Sequence, residues 1–466
     1  MKKLADSFQH FMNKKWITTF GRFLRSFINH DLFILFYLVI CLINWKFQLT
    51  YLAIVIGVIF LYLIIILDIN RFRLVPILLF ILASIRLPQP SDYLWPAIIG
   101  AVFVLPITLF DLVKKPLRLN NQILIGMIFL LIAMFFSIIN TPRLWMSILG
   151  VSTMLVYIYI FIYFFNKKQD YSQSELWLYL AKSFTYFGIL ILLETIFFNF
   201  EVVTDNSFIS FFNWSVVDLG WANTNYIAMI YLVIIPLTGF WYSKTQKHFY
   251  LIIMLLIEIF AFILLISRGA YVAMLVSGLP FFIVFFTDIK NKVAFTQKSL
   301  FLISFVLIAL LIIAIPTGLV KNFFAILNSR GLSLAGRELL YRIGFNVFLR
   351  YPLFGGGIYT SEYYLSLVST SVYYHNFIIQ TLATIGVFGM IAFSYYLYQV
   401  FRQSLWKCSY NNYIFIIILG ITVHGLFDTT FYNPIIMIIL SIILPLMLEK
   451  NVIDEQNREE LTRVYN

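Results

Sequence analysis

Two of the five histidines stand in stretches that could do chemistry. One stretch reads Tyr373-Tyr374-His375-Asn376, the other His424-Gly425-Leu426-Phe427-Asp428. An imidazole in such a place can act as a general base, donate a hydrogen bond to phosphate, or simply sit at an interface. Asp428 can orient such a group, and the His424–Asp428 stretch reads equally well as a plain helix end. Arginines supply a second chemistry. They occur in Ser267-Arg268-Gly269-Ala270, in Asn328-Ser329-Arg330-Gly331, and in Gly336-Arg337-Glu338-Leu339-Leu340-Tyr341-Arg342. A guanidinium fork matches two phosphate oxygens at once. Taken singly, Arg268 also suits an arginine that snorkels to lipid headgroups. A helix from Arg337 to Leu349 would put Tyr341 one turn beyond Arg337 on the same face. The chain then breaks at Pro352-Leu353-Phe354-Gly355-Gly356-Gly357. Successive glycines allow close approach of the backbone, and their N–H groups can cradle an anion. A surface turn is the plainer alternative. Arg268, Arg337 and Arg342, with His375 and the glycine turn, thus suit an anionic, phosphate-bearing ligand such as a polyprenyl diphosphate.

Other chemistries are excluded. No histidine cluster or carboxylate pair has metal-ligand spacing, so no metal is expected. No Walker A motif or nucleotide fingerprint follows a strand, so no cofactor is expected. Cys41 lies in an apolar run and Cys408 in a basic loop, which leaves no disulfide or cysteine metal site to predict.

The elements that must position these residues are membrane helices. Hydrophobic residues make up 61% of the chain, charged residues 12%, and mean hydropathy is +0.90. Soluble domains are about 45–50% apolar and about 25% charged. The apolar residues come in long runs, not in the alternating ten-residue segments of a β-barrel. In lipid a helix satisfies its own backbone. The predicted fold class is therefore all-α, a polytopic transmembrane bundle. Apolar runs fall at 32–45, 49–68, 74–87, 93–111, 122–139, 144–165, 177–199, 224–242, 249–267, 270–287, 299–316, 376–401, 412–427 and 431–448. That is about 14 spans, or 12 if the short run at 74–87 and the tight final pair are miscounted. Residues 1–30 read as a basic amphipathic segment on the cytoplasmic surface, with a solvated tail as the alternative. Residues 31–316 form the bundle, 317–375 one long extracytoplasmic loop, 376–449 the last spans and 450–466 a cytoplasmic tail.

Charge sets the orientation. With both termini in the cytoplasm, 24 of the 33 Lys and Arg fall inside, as the positive-inside rule requires. The nine left outside include Arg268, Arg337 and Arg342. The formal net charge of +12 is thus a topological signal, and nucleic acid is not an expected partner.

The ordered set Trp221-Ala222-Asn223-Thr224-Asn225, Ser267-Arg268-Gly269-Ala270, Gly336-Arg337, Pro352-Leu353-Phe354-Gly355-Gly356-Gly357 and His375-Asn376, followed by Ile385-Gly386 and Gly389, resembles the O-antigen ligase and Wzy-type polysaccharide polymerase superfamily. The resemblance covers about residues 120–440 and is most specific over 336–389. It implies a GT-C-like membrane glycosyltransferase of the bacterial cytoplasmic membrane, metal-independent, with its site on the extracytoplasmic face. The implied donor is an undecaprenyl-diphosphate-linked oligosaccharide. The bilayer is an expected partner, and other polysaccharide-assembly membrane proteins are candidates. Carried over by position, Arg268 and Arg337 hold the diphosphate and His375 assists the acceptor. Arg342 joins them on the reading above. Gly355, Gly356, Gly357, Tyr341, Asn376, Asn225, His424 and Asp428 are supporting residues.

Three activities remain open on the sequence. The first is polymerisation of repeat units. The second is ligase-type transfer of a finished glycan to lipid A core or another acceptor. The third is transport, for which Glu258 within an apolar run is the anchor. The loop tyrosines (Tyr341, Tyr359, Tyr363, Tyr364, Tyr373, Tyr374) suit stacking on sugars and equally suit anchoring at headgroup level.

Overall fold

The computed structural model describes residues 15–49, 51–86, 94–202, 214, 217–245, 249–289, 337–366, 368–369, 371–405 and 408–447. Residues 1–14, the run at 299–316, Arg330, Gly336 and the tail 450–466 lie outside the described residues. The described part is helical, with no strand among its residues.

Thirteen of the fourteen apolar runs coincide with helices. The chain divides into two units, the first made of residues 1–117, 186–194 and 219–221, the second of the rest. In the first unit lie α1 (Lys15–Asn29), α2 (Leu32–Phe47), α3 (Leu52–Ile66), α4 (Leu74–Ser84) and α5 (Leu94–Leu112). α1 carries Arg22 and Arg25 and is amphipathic, as expected, with Phe20 and Phe23 exposed. α2 packs on α4, and α3 on α5. Two buried polar clusters hold this unit. Arg71 grips both oxygens of Asp111 at 3.0 and 2.8 Å. Asn44 donates to the Ser84 carbonyl at 2.7 Å and accepts from Ala53 N–H at 3.1 Å. Removing one partner of such a buried ion pair would strand a charge.

The second unit contains α6 (Gln122–Ser137), α7 (Leu144–Lys167), α9 (Thr224–Thr245), α10 (Tyr250–Leu264), α11 (Arg268–Asp288), α12 (Arg337–Arg350), α13 (Ser361–Leu365), α14 (Phe377–Ser404), α15 (Ser409–Gly425) and α16 (Pro434–Ile443). Between α7 and α9 runs α8 (Gln173–Val202), whose middle is grouped with the first unit. α9 is the core helix: every residue from Ile227 to Ser243 is buried. It is flanked by α10, α11 and α15. α14 lies along α6 on one side and α12 on another. Outward faces are apolar, with Leu275 and Trp145 each 79% exposed, as lipid contact requires.

Among the described residues, six helices are long and apolar enough to cross a membrane: α6, α7, α8, α9, α11 and α14. Residues 19–29 and 32–47 pass that test only together and are bent by 81°. Several other runs form shorter helices. α4 has 11 residues, a rise of about 16 Å against a hydrocarbon core of about 30 Å. Among the described residues, six or seven crossings meet the test of length and composition, and shorter apolar helices stand beside them.

Candidate active site

One end of the second unit gathers the polar motifs. α9, α11 and α14 begin there and α15 ends there. Asn376 starts α14 by capping it, accepting from the N–H groups of Ile378 and Ile379 at 2.9 and 3.1 Å. Its amide donates to the Leu426 carbonyl at 2.9 Å. Such a cap satisfies orphan helix donors, so Asn376 is held in a structural role and its side chain is spoken for.

The capped turn throws His375 into position. Its backbone is left-handed, at φ 51°, an uncommon conformation for a non-glycine residue that its surroundings must hold. Tyr341 helps by donating to the His375 carbonyl at 3.3 Å. The ring is then held at both nitrogens. Nδ1 lies 3.0 Å from Asp428 Oδ1, and Nε2 lies 3.1 Å from Ser371 Oγ. Asp428 is buried and accepts from Thr429 N–H at 2.8 Å. Burial alone would raise its carboxyl pKa. The hydrogen bond and charge of His375, helped by His424 and Thr429 N–H, outweigh burial and hold it below the ordinary value of 3.8. A carboxylate beside Nδ1 favours the tautomer with the proton on Nδ1, in which Nε2 carries the lone pair.

Arg337 opens α12 and donates from Nη1 to the Phe427 carbonyl, next to Asp428. Its guanidinium also neighbours Tyr341. The observed helix, Arg337–Arg350, matches the expected one, and Tyr341 lies on the face of Arg337 as expected. Burial raises the Tyr341 phenol while Arg337 pulls it down. Arg268 is the first residue of α11. The next residue, Gly269, packs so tightly on Phe427 that an added Cβ would lie 2.7 Å from the Phe427 Cβ. Asn225 accepts from Ser267 Oγ at 2.9 Å, tying the start of α9 to the start of α11. The structure therefore brings together Arg337, Tyr341, His375, Asn376 and Asp428, with Gly269, next to Arg268, packed against Phe427.

Two expectations change, and one open alternative is narrowed. Arg342 is exposed on another face of α12, and no described contact joins it to the His375 cluster. Arg342 lies five residues after Arg337, a net rotation of about 140° around the helix. His424 is buried and bonds Thr430 Oγ1 at 2.8 Å, which fits the helix-end alternative. The glycine turn is no anion cradle. Gly355, Gly356 and Gly357 donate their N–H groups to the carbonyls of Tyr351, Ala383 and Thr384 at 2.9, 2.8 and 3.1 Å. Those last two carbonyls are orphaned because α14 breaks at Gly386, φ 68° and ψ −166°. In return the N–H groups of Val387 and Phe388 donate to Pro352 and Leu353. The loop completes a broken helix.

Spacing did not reveal Ser371, Thr429 or Tyr226. Tyr226 follows Asn225, bonds Thr429 and lies near Asp428 and Tyr373. Tyr373 sits near Tyr359, Asp428 and Glu362, and burial first, then those neighbours, raises its phenol. Glu258 is remote from this end. It is buried in α10 and accepts from Thr238 at 3.0 Å. Among the described residues no group of histidine, cysteine and carboxylates could hold a metal ion.

Residues 249–394 match the family model Wzy_C, described as O-antigen ligase. This region is similar to that family. It contains Arg268, Arg337, His375 and the glycine turn. Asn225, His424 and Asp428 lie outside the matched span, so the carboxylate partner of His375 comes from beyond it. At the level of the family this match supports a role in membrane glycan transfer. No curated protein matches the chain in sequence.

Proposed function

We propose that the protein transfers a glycan from an undecaprenyl-diphosphate-linked donor to a hydroxyl acceptor at the extracytoplasmic face of the bacterial cytoplasmic membrane. The observation that carries this reading is the His375–Asp428 pair, 3.0 Å apart, beside an arginine held on the Phe427 carbonyl. His375 Nε2 takes the proton of the acceptor hydroxyl. The acceptor oxygen attacks the anomeric carbon, and the bond from that carbon to the diphosphate oxygen breaks. The electron pair leaves with the diphosphate. Arg337 and Arg268 stabilise the charge that grows there. Diphosphate is a good leaving group once its charge is met, so this chemistry calls on no metal.

Repeat-unit polymerisation is the favoured form of the reaction. The test uses the purified full-length protein with lipid-diphosphate-linked repeat units as sole substrate. A ladder of products is the expected result. Reaction only after a second acceptor is added would make the protein a ligase. No transfer under either condition, with folded protein, would reject the reading.

A further inference from the structure

His375 would meet its acceptor through Nε2, and that nitrogen is already covered. Ser371 Oγ sits 3.1 Å from it and also donates to the Tyr373 carbonyl at 2.8 Å. The Ser371 N–H is fixed in turn on Ser369 Oγ at 3.0 Å. With the proton on Nδ1, Nε2 and the Tyr373 carbonyl are both acceptors, so the single serine proton serves one of them at a time while the oxygen stays in front of Nε2. It stands where a reacting hydroxyl must stand, and it is a hydroxyl itself.

We propose that Ser371 is a guard on His375, which keeps water from Nε2 until a sugar acceptor displaces it. This rests on the glycan-transfer reading above. A diphosphate-activated anomeric carbon reacts with whatever nucleophile the base deprotonates. If that nucleophile is water, its oxygen bonds the anomeric carbon and its proton passes to Nε2. The diphosphate then leaves with the electron pair, and the products are free reducing glycan and lipid diphosphate. The donor is lost. A water molecule brings no other contacts with which to displace the Ser371 hydroxyl. A sugar acceptor brings a ring and several hydroxyls, and the nearby phenols of Tyr373, Tyr226 and Tyr359 offer them partners. Losing one neutral hydrogen bond is a several-fold effect, enough to tilt the choice between the two. Ser371 is a positioning residue in this scheme, acting through His375.

The experiment measures two products from the purified full-length protein given a polyprenyl-diphosphate-linked oligosaccharide and an acceptor: free reducing glycan and transferred glycan. In Ser371→Ala the ratio of hydrolysis to transfer should rise about five-fold or more, whatever happens to the total rate. Ser371→Gly should raise it likewise, which provides a second variant lacking the hydroxyl. Ser371→Thr, which keeps the hydroxyl, should return the ratio to that of the parent protein. An unchanged ratio in both hydroxyl-free variants overturns the guard. A parallel fall of both products overturns it too, since Ser371 would then be passing the proton on. His375→Ala separates the two levels. If it still transfers glycan, the base assignment has failed. If it does not, and the Ser371 ratio is flat, only the guard has failed.

Discussion

Asp428 decides what His375 can do. A carboxylate on Nδ1 selects the tautomer in which Nε2 is free to accept a proton. An amide at the same place can donate to Nδ1 and push the proton onto Nε2. Asp428→Asn should therefore keep the shape of the site and lower transfer by roughly 10²- to 10⁴-fold, measured as product formed per unit of folded protein. A loss under threefold would remove His375 from the chemistry. The pH sense follows from the depressed carboxyl. What Asp428 contributes is fully present above its ordinary value of 3.8 and is lost only as pH falls through the lower folded value. Lowering pH from 7 to 5 should leave its carboxylate charged, and any thermal destabilisation that depends on Asp428 should begin below that ordinary value. Arg337→Lys tests the fork. An ammonium keeps the charge but cannot serve the Phe427 carbonyl and a phosphate together, so turnover should fall about tenfold or more, with normal expression. Arginine and histidine were legible in the sequence because their motifs are ordered and their charge is out of place for an apolar chain. Ser371, Thr429 and Tyr226 were not. Their positions follow from a left-handed turn at His375 and from the meeting of distant helix ends, and neither leaves a periodic mark.

At the scale of elements, α12 was legible to within one residue, because its charged face and the glycines after it mark both ends. α14 was not. Residues 376–401 read as one continuous apolar run, and periodicity alone does not distinguish a whole helix from one broken at Gly386. The three glycines were visible, but their partner lies some thirty residues further on. The docking makes strong demands on both sides. A Cβ on Gly355 would lie 2.3 Å from the Thr384 carbonyl carbon, and one on Gly386 would lie 2.4 Å from the Leu353 oxygen. Both glycines also have positive φ. Gly355→Ala and Gly386→Ala should each cost about 1–3 kcal/mol or more from backbone strain alone, read as a lowered midpoint of thermal unfolding in detergent. A midpoint equal to that of the parent protein would mean that the loop and the helix break are not joined as described.

At the scale of the whole molecule, class and element positions were legible because lipid leaves the backbone so few choices. Helix length was not. Composition marks a segment as apolar, whereas crossing also needs length, and helices such as α4 and α16, of 11 and 10 residues, are apolar without being long. Orientation is open to direct measurement. In a variant lacking Cys41 and Cys408, Tyr363→Cys at the site end should react with a membrane-impermeant maleimide in intact cells. Thr287→Cys, at the far end of α11, should react only after the cells are opened. The reverse pattern would turn the bundle over and put the proposed site in the cytoplasm.

The loop that completes α14 also acts as a ruler. Gly355, Gly356 and Gly357 engage fixed carbonyls in strict succession, and the count of residues between Tyr351 and Ile358 is what keeps them in step. A single extra residue there, even glycine, would shift every donor by one place while changing no side chain. This stretch should therefore tolerate changes of length less well than changes of composition, so that inserting one glycine after Pro352 disables the protein more completely than replacing Leu353 or Phe354 by alanine.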